Sequence, residues 1–337
     1  MTTLPQDHDP KSNAWTAELN TECIVFGQFG IQAKKGMNPT GYIEQFLKAF
    51  HAPNGPAHVD RAVHQDIDEY VNHIFLAYWD NKEAFEKWNL SSSNGKYWSE
   101  TASPIAQDIG LWREIVFISN DHMETLHSGE NYDNGVSNFL PLKYTKVHEY
   151  WGSMRDRIPA SAHDSLDTEY DKKVLEPEIG VTLGKRIRVY PPDHICLIRT
   201  AQNWSQCSDE ERKTYLDLVE PTLLEGSDYI RENPSETGCL SSRFVYEVDL
   251  DGDSLDKSCT IAYFLSLAHL EDWAKSHPSH LKIYQTFFEM LKKHNFATEL
   301  ALWHEVSVLR TDQVIFEYMN CHSSTGLLKF AHLFGQK

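Results

Sequence analysis

Short apolar runs punctuate this chain, and between them apolar positions recur at the three- and four-residue spacing of a helix face. Cys23 to Gln32 is rich enough in β-branched and aromatic residues to predict a strand, and Thr40 to Phe50 (TGYIEQFLKAF) has helical spacing. His73 to Trp79 predicts a second strand, Lys82 to Trp88 a helix started by Asp80-Asn81, and Leu111 to Ser119 a third strand. A second series begins with a strand at Ile195 to Thr200 and a helix from about Asp209 to Glu225. Phe244 to Leu250 and Thr260 to Leu265 then make a hairpin around Asp251-Gly252-Asp253. Helical stretches over Leu267 to Ala274 and His280 to Lys293 precede the last strand, Leu302 to Leu309. This second series reads β-α-β-β-α-β, the ferredoxin-like unit. The first series shows the same order with one hairpin strand not legible.

The two series are a repeat. YWDNKEAFEKW at 78–88 matches YFLSLAHLEDW at 263–273 at an offset of 185, aligning Tyr78 with Tyr263 and Trp88 with Trp273. LWREIVFI at 111–118 matches LWHEVSVL at 302–309 at an offset of 191. Upstream, CIVFGQFGIQ (23–32) and ICLIRTAQNW (195–204) share only an apolar pattern. The predicted fold class is α+β, with ferredoxin-like halves at about 20–120 and 190–310 whose bare sheet faces are buried against each other or in a barrel. Residues 1–19 read as an N-terminal extension, about 121–189 as an insertion or lid, and 311–337 as a C-terminal segment beyond the single domain spanning 20–310. The run Asp249, Asp251, Asp253, Asp256 reads as a hairpin turn, because its glycine is misplaced for a calcium loop.

Composition narrows the function. A length of 337 residues fits two domains or one large one, and a net charge of −18 argues against nucleic-acid or anionic-membrane partners. No apolar run is long enough to span a bilayer, and Met1 to Asn13 lack the pattern of a signal peptide. The six cysteines are scattered without a C-x-x-C pair, as in reduced thiols of a cytoplasmic protein, which excludes a Cys-rich zinc site and covalent haem attachment. Seventeen histidines with 12% aromatic residues suit a pocket for a flat apolar ligand.

Chemistry is expected where the halves differ. After Trp273 the second half has SHPSHLKIYQTFFEML, whereas the first has NLSSSNGKYW, without histidine. Ser276 can cap, Pro278 fits a first turn, and His280 then begins an apolar helical face with Tyr284, Phe287, Phe288 and Leu291. A buried imidazole at a helix start favours its neutral, ligating form. Read from these residues alone, His280 is by default a core histidine with one hydrogen bond; the alternative, a partner of His277 at a non-haem metal, lacks an evident carboxylate partner. Arg113 of the first half becomes His304 in the second, on the strand face of Leu302 and Val306, where it either fills the core or flanks a ligand. YWGSMRDRIP at 150–159 sets Arg155 and Arg157 beside aromatics, with surface ion pairing the default.

The segments YWGSMRDRIP (150–159), SHPSHLKIY (276–284), LWHEVSV (302–308) and FEYMNCHSSTGLL (316–328) resemble the aldoxime dehydratases, the family of the aliphatic aldoxime and phenylacetaldoxime dehydratases, and the likeness runs from about residue 20 to 328. The resemblance implies a haem b lyase turning R–CH=N–OH into R–C≡N and water with ferrous iron. It implies a duplicated ferredoxin-like, dimeric α+β barrel, a homodimer, and an aldoxime as the small-molecule partner. Carried onto matching positions, it makes His280 the axial ligand of the haem iron, His304 the distal catalytic histidine and Arg157 the distal arginine. Thr200, after the arginine of LIRTAQNW, stands where the family has a distal serine, and Glu124 resembles an acidic residue of the distal side. A haem peroxidase or chlorite-dismutase-like enzyme, and a non-catalytic haem-binding protein, are the alternatives.

Overall fold

The computed structural model describes residues 3–98, 108–130 and 134–335. Among them, thirteen strands pair antiparallel in one sheet. They are β1 (Ala14–Ala17), β2 (Cys23–Lys34), β3 (His58–Gln65), β4 (Tyr70–Trp79), β5 (Ile109–Ser119), β6 (Met123–His127), β7 (Leu142–Thr145), β8 (Arg186–Val189), β9 (Ile195–Asn203), β10 (Cys239–Val248), β11 (Ser254–Phe264), β12 (Ala301–Leu309) and β13 (Val314–Met319). Their order is β7-β1-β6-β12-β9-β11-β10-β3-β4-β2-β5-β13-β8. Two quartets inside it, β3-β4-β2-β5 and β10-β11-β9-β12, have the same connectivity and meet where β10 pairs with β3.

β3 is the strand the sequence hides. It reads HVDRAVHQ, and its core-facing Asp60 is satisfied by Arg199 of the other quartet at 2.8 Å. A cross-quartet ion pair thus replaces the apolar residue that alternation would need. The hairpin turn has Asp249 accepting from the amides of Gly252 and Asp253, with Gly252 at φ 102°.

Each quartet is flanked by a strand that follows the last strand of the other. β5 leads through a turn at Asn120–His122 into β6, which pairs with β12. β12 leads through Thr311–Gln313 into β13, which pairs with β5. Turns this short bring the far strands together, and β5 and β12 lie side by side. The repeat offset of 191 continues past these strands to Gly135 and Gly326. Both glycines have positive φ, 54° and 51°, and a Cβ there would stand 2.1 Å from Glu305 Oε1 and 2.4 Å from Glu114 Oε1 respectively.

The face shared by both quartets buries Phe26, Trp112, Tyr263, Trp303 and Phe316 around charged pairs. The second quartet supplies both arginines and the first the acids they reach across to, while Arg199 also pairs with Glu247 of its own quartet at 2.9 Å. Arg199 pairs with Asp60, and Arg243 grips Glu114 through two bonds of 2.6 and 2.8 Å. Helices cover the opposite face. Thr40–Phe50 and Lys82–Ser91 lie on the first quartet, the latter capped by Asn81, whose side chain accepts from the Ala84 amide. On the second, Asp209–Thr214 runs through a π turn at Tyr215–Val219 into Glu220–Glu232, where Pro221 withholds an amide from the helical ladder. Leu267–Ser276 and Pro278–Lys293 complete this layer.

Candidate active site

One row of side chains crosses the helix-covered face of the second quartet. His304 on β12 lies opposite Thr200 on β9, Thr200 opposite Thr260 on β11, and Thr260 opposite Phe244 on β10. The row separates two apolar clusters. One holds Cys196, Ala262, Phe264, Val306 and Val308, the other Trp204, Tyr215, Met290 and Leu300 with Leu302 against it. As alternation predicts, Trp303 faces the shared interior, with Glu305 accepting there from Tyr78 Oη at 2.7 Å.

At the β12 end of the row, Glu124 of β6 is fully buried. Its Oε2 accepts from Arg157 Nε at 2.6 Å, while His304 Nε2 lies 2.9 Å from Oε1. Arg157 also donates to the Val147 carbonyl at 2.6 Å, and its Nη2 is 3.2 Å from His304 Nε2. Burial alone would raise the Glu124 carboxyl, but Arg157 and His304 outweigh it and hold the pKa at about 2. His304 Nε2 therefore meets a fixed donor and a fixed anion together. Neutral, it can accept from Arg157. Protonated, it has Glu124 as counter-ion. The side chain remains 22% exposed, so a ligand can still reach it. Arg157 is no surface ion pair, with only 5% of its side chain exposed, and Arg155 pairs with Glu271 at 2.7 Å.

His280 is on the Pro278–Lys293 helix, with Pro278 in the first turn as expected. The cap is not Ser276, which ends the preceding helix by donating to the Asp272 carbonyl, but His277, whose Nδ1 accepts from the Ser279 amide. His277 Nε2 is engaged by Glu236 at 3.1 Å, which leaves no support for a His277–His280 ligand pair. The His280 ring packs edge-on against Trp273 at 4.7 Å, and Trp273 Nε1 donates to Ser279 Oγ. Its Nδ1 is buried without a hydrogen bond of good geometry. Burial pushes its pKa down to about 4, against a smaller pull from the Ala274 carbonyl, so the ring is neutral. The helix face differs from expectation. Phe287 packs inward as expected, but Met290 and Thr286 join it, the latter hydrogen-bonded to Thr222, while Tyr284 is 52% exposed. A face shared with the Glu220–Glu232 helix, not the row of large aromatics, sets the helix's rotation.

The structure thus joins Glu124, Arg157 and His304 by direct contact, with Thr200 next in the row, and places His280 on a covering helix. A family model described as a haem-containing dehydratase matches residues 27–327. The phenylacetaldoxime dehydratase of Bacillus sp. (strain OxB-1) is 52% identical over 332 residues, covering 98% of this chain and 95% of that protein. The chain belongs to the haem-containing aldoxime dehydratase family. As a member of that family it is an enzyme, a lyase. The aliphatic aldoxime dehydratase of Rhodococcus globerulus is 34% identical, covering 97% of this chain and 93% of that protein. A crystal structure of an aldoxime dehydratase superposes with a TM-score of 0.87 at 34% identity, covering 97% of this chain and 94% of that one. A second, in complex with butyraldoxime, gives 0.87 at 33% identity, covering 97% and 92%. The α+β architecture of antiparallel strands is the aldoxime dehydratase fold.

Two residues beside these escaped the sequence reading. Thr260 is Thr200's neighbour in the row, and the offset of 185 that aligns it with Phe75 was the available signal. Asp156 had none, because Thr3, which supplies most of its hydrogen bonds, lies far away in sequence.

Proposed function

We propose that this enzyme dehydrates aldoximes, R–CH=N–OH, to nitriles and water at a haem b whose iron is held by His280, with His304, Arg157, Thr200 and Glu124 acting on the substrate side. The phenylacetaldoxime dehydratase relative supports arylacetaldoximes as the substrate class. The buried Glu124 carboxylate that fastens both Arg157 and His304 is the observation that carries the reading. His280 fits the cofactor chemically, because its ring is neutral and its buried Nδ1 takes no good hydrogen bond. The polar row between two apolar clusters fits a site that must admit a flat apolar group and a polar leaving group together.

A bound haem, held by His280, would supply ferrous-iron chemistry able to weaken the N–O bond of the oxime. The protein's residues manage the protons. His304, as imidazolium with Glu124 as counter-ion, gives its Nε2 proton to the departing hydroxyl, which leaves as water. The neutral ring then takes the aldoxime C–H proton at the same nitrogen, so one group is acid and base within a turnover. Arg157 and the Thr200 hydroxyl hold the leaving oxygen in line. Threonine keeps the hydroxyl of the family's serine and adds a methyl that stiffens its rotamer. Glu124 keeps the distal cation count balanced in a buried setting.

The reading extends to the assembly. The adjacency of β5 and β12 supports closure of the quartets into an α+β barrel, and family membership supports a homodimer. All six cysteines are free thiols, which supports a reducing, cytoplasmic setting. No described helix is long and apolar enough to cross a membrane. The test is to incubate haem-loaded, dithionite-reduced protein anaerobically with phenylacetaldoxime. Phenylacetonitrile is the expected product, and its absence from protein with a normal Soret band would overturn the reading.

A further inference from the structure

The helix that carries Arg157, Ser153–Arg157, is five residues long and cannot hold its own shape. Its charged side chains tie it to different parts of the molecule. Arg155 donates twice to Glu271 of the Leu267–Ser276 helix and once to the Ser165 carbonyl. Asp156 faces the segment at the start of the chain. Its two oxygens accept from the Thr3 amide at 3.0 and 2.8 Å, and Oδ2 accepts also from Thr3 Oγ1 at 3.0 Å and Tyr150 Oη at 2.9 Å. Thr3 sits so close that a Cβ on Gly152, which has φ 98°, would lie 2.2 Å from its Oγ1.

From Thr3 the segment runs as a strap over residues 142–156. His8 Nε2 is 2.7 Å from the His148 carbonyl, and the amides of Lys11 and Ser12 donate to Glu149 at 2.7 and 2.9 Å. The strap then becomes β1, which pairs with β7 and with β6, the strand bearing Glu124. One continuous segment therefore spans the two elements that deliver Arg157 and Glu124.

We propose, resting on the reading of Arg157 given above, that Asp156 is a positioning residue: through Thr3 it anchors the Ser153–Arg157 turn to the strap and fixes where the Arg157 guanidinium sits beside His304. Asp156 is not bonded to His304 or Glu124, so it acts through the backbone of its neighbour. A shift of about 1 Å in such a group costs up to ~10²-fold in rate.

The experiment compares haem-loaded Asp156→Ala, Asp156→Glu, Thr3→Pro and Arg157→Ala with the parent. It reads kcat and KM for phenylacetaldoxime, the Soret band, and hydrogen exchange of residues 150–158. Asp156→Ala is expected to keep the Soret band, exchange faster at 150–158, and lose kcat by on the order of 10–100-fold with little change in KM. Asp156→Glu, which keeps the anion, should recover part of that loss. Thr3→Pro deletes the amide donor at an exposed position, so it tests the same contact if Asp156→Ala does not fold; a smaller loss of kcat is expected. Unchanged kcat or unchanged exchange in a folded Asp156→Ala overturns the proposal, and so does a fall in kcat that only tracks a lost Soret band. Full turnover by Arg157→Ala would instead overturn the reading on which the proposal rests.

Discussion

The two quartets share connectivity, yet their helix-covered faces are built for opposite purposes. In the first, the row matching His304, Thr200 and Thr260 is Arg113, Phe29 and Phe75. Phe29 and Phe75 pack with Phe46 and Phe50 at centroid distances between 5.3 and 6.3 Å, in one unbroken cluster. Arg113 is neutralised by Glu317 directly across the strand pair, at 2.8 Å. In the second, two threonines replace two phenyl rings and the cluster is split. The repeated tryptophan follows suit. Trp88 stacks on Phe50 at 5.5 Å, whereas Trp273 backs His280. The second row thus lacks the rings of the first and ends in an imidazole, where the first ends in a paired guanidinium within a rigid aromatic core.

The comparison can be broken experimentally, beginning with the largest effect. His280→Ala should abolish haem retention, read as loss of the Soret band in purified protein; an unchanged band would remove this residue from the iron. His304→Ala should keep haem but lower turnover by about 10²–10⁴-fold. Its counterpart Arg113→Ala should leave turnover per haem intact and destabilise the fold by about 3 kcal/mol in urea unfolding, since it strands a buried Glu317 that Arg186 only partly covers. Thr260→Phe, which writes the first quartet's residue into the second, should cut nitrile formation from arylacetaldoximes by on the order of tenfold. The reverse change, Phe75→Thr, should cost about 3 kcal/mol of stability and no activity per folded molecule.

A further effect is on pH. His280 and His127 are each held near a pKa of about 4, chiefly by burial, against an ordinary value of 6.5. The unfolded chain thus binds more protons between these values, and the haem-free protein should lose stability as pH falls from 6.5 towards 4. Each such imidazole contributes up to about 1.4 kcal/mol per pH unit. Equal urea midpoints at pH 7 and pH 5 would count against this burial.

Part of this contrast is legible in the sequence, but the exchange of Phe29 and Phe75 for Thr200 and Thr260 is not among the differences read there. The repeat exposed His304 against Arg113 and the His280 segment against one without histidine, because insertions and single replacements in a duplicated unit need no structural knowledge to be seen. β3 stayed hidden because an ion pair with a partner far along the chain stands where alternation expects an apolar residue. The apolar spacing of the His280 helix predicts Phe287 inside but not Met290 and Thr286, because the neighbouring helix, through Thr222 and Thr286, fixes its rotation. That Arg157 is inside could not be read from SMRDR, where two arginines two positions apart look equivalent; only Glu124 on a distant strand separates them.

The crossing of β6 and β13 governs how the molecule could be divided. Split between β7 and β8, the leading fragment would carry Glu124, Arg157 and the acids Asp60 and Glu114. The trailing one would carry Thr200, His280, His304 and the arginines Arg199 and Arg243. Each piece would own an arm whose seat is on the other, and neither would own a whole reaction centre. If the residues act as proposed above, such fragments would form a two-component reporter, expected to be silent apart and to make nitrile only on reunion.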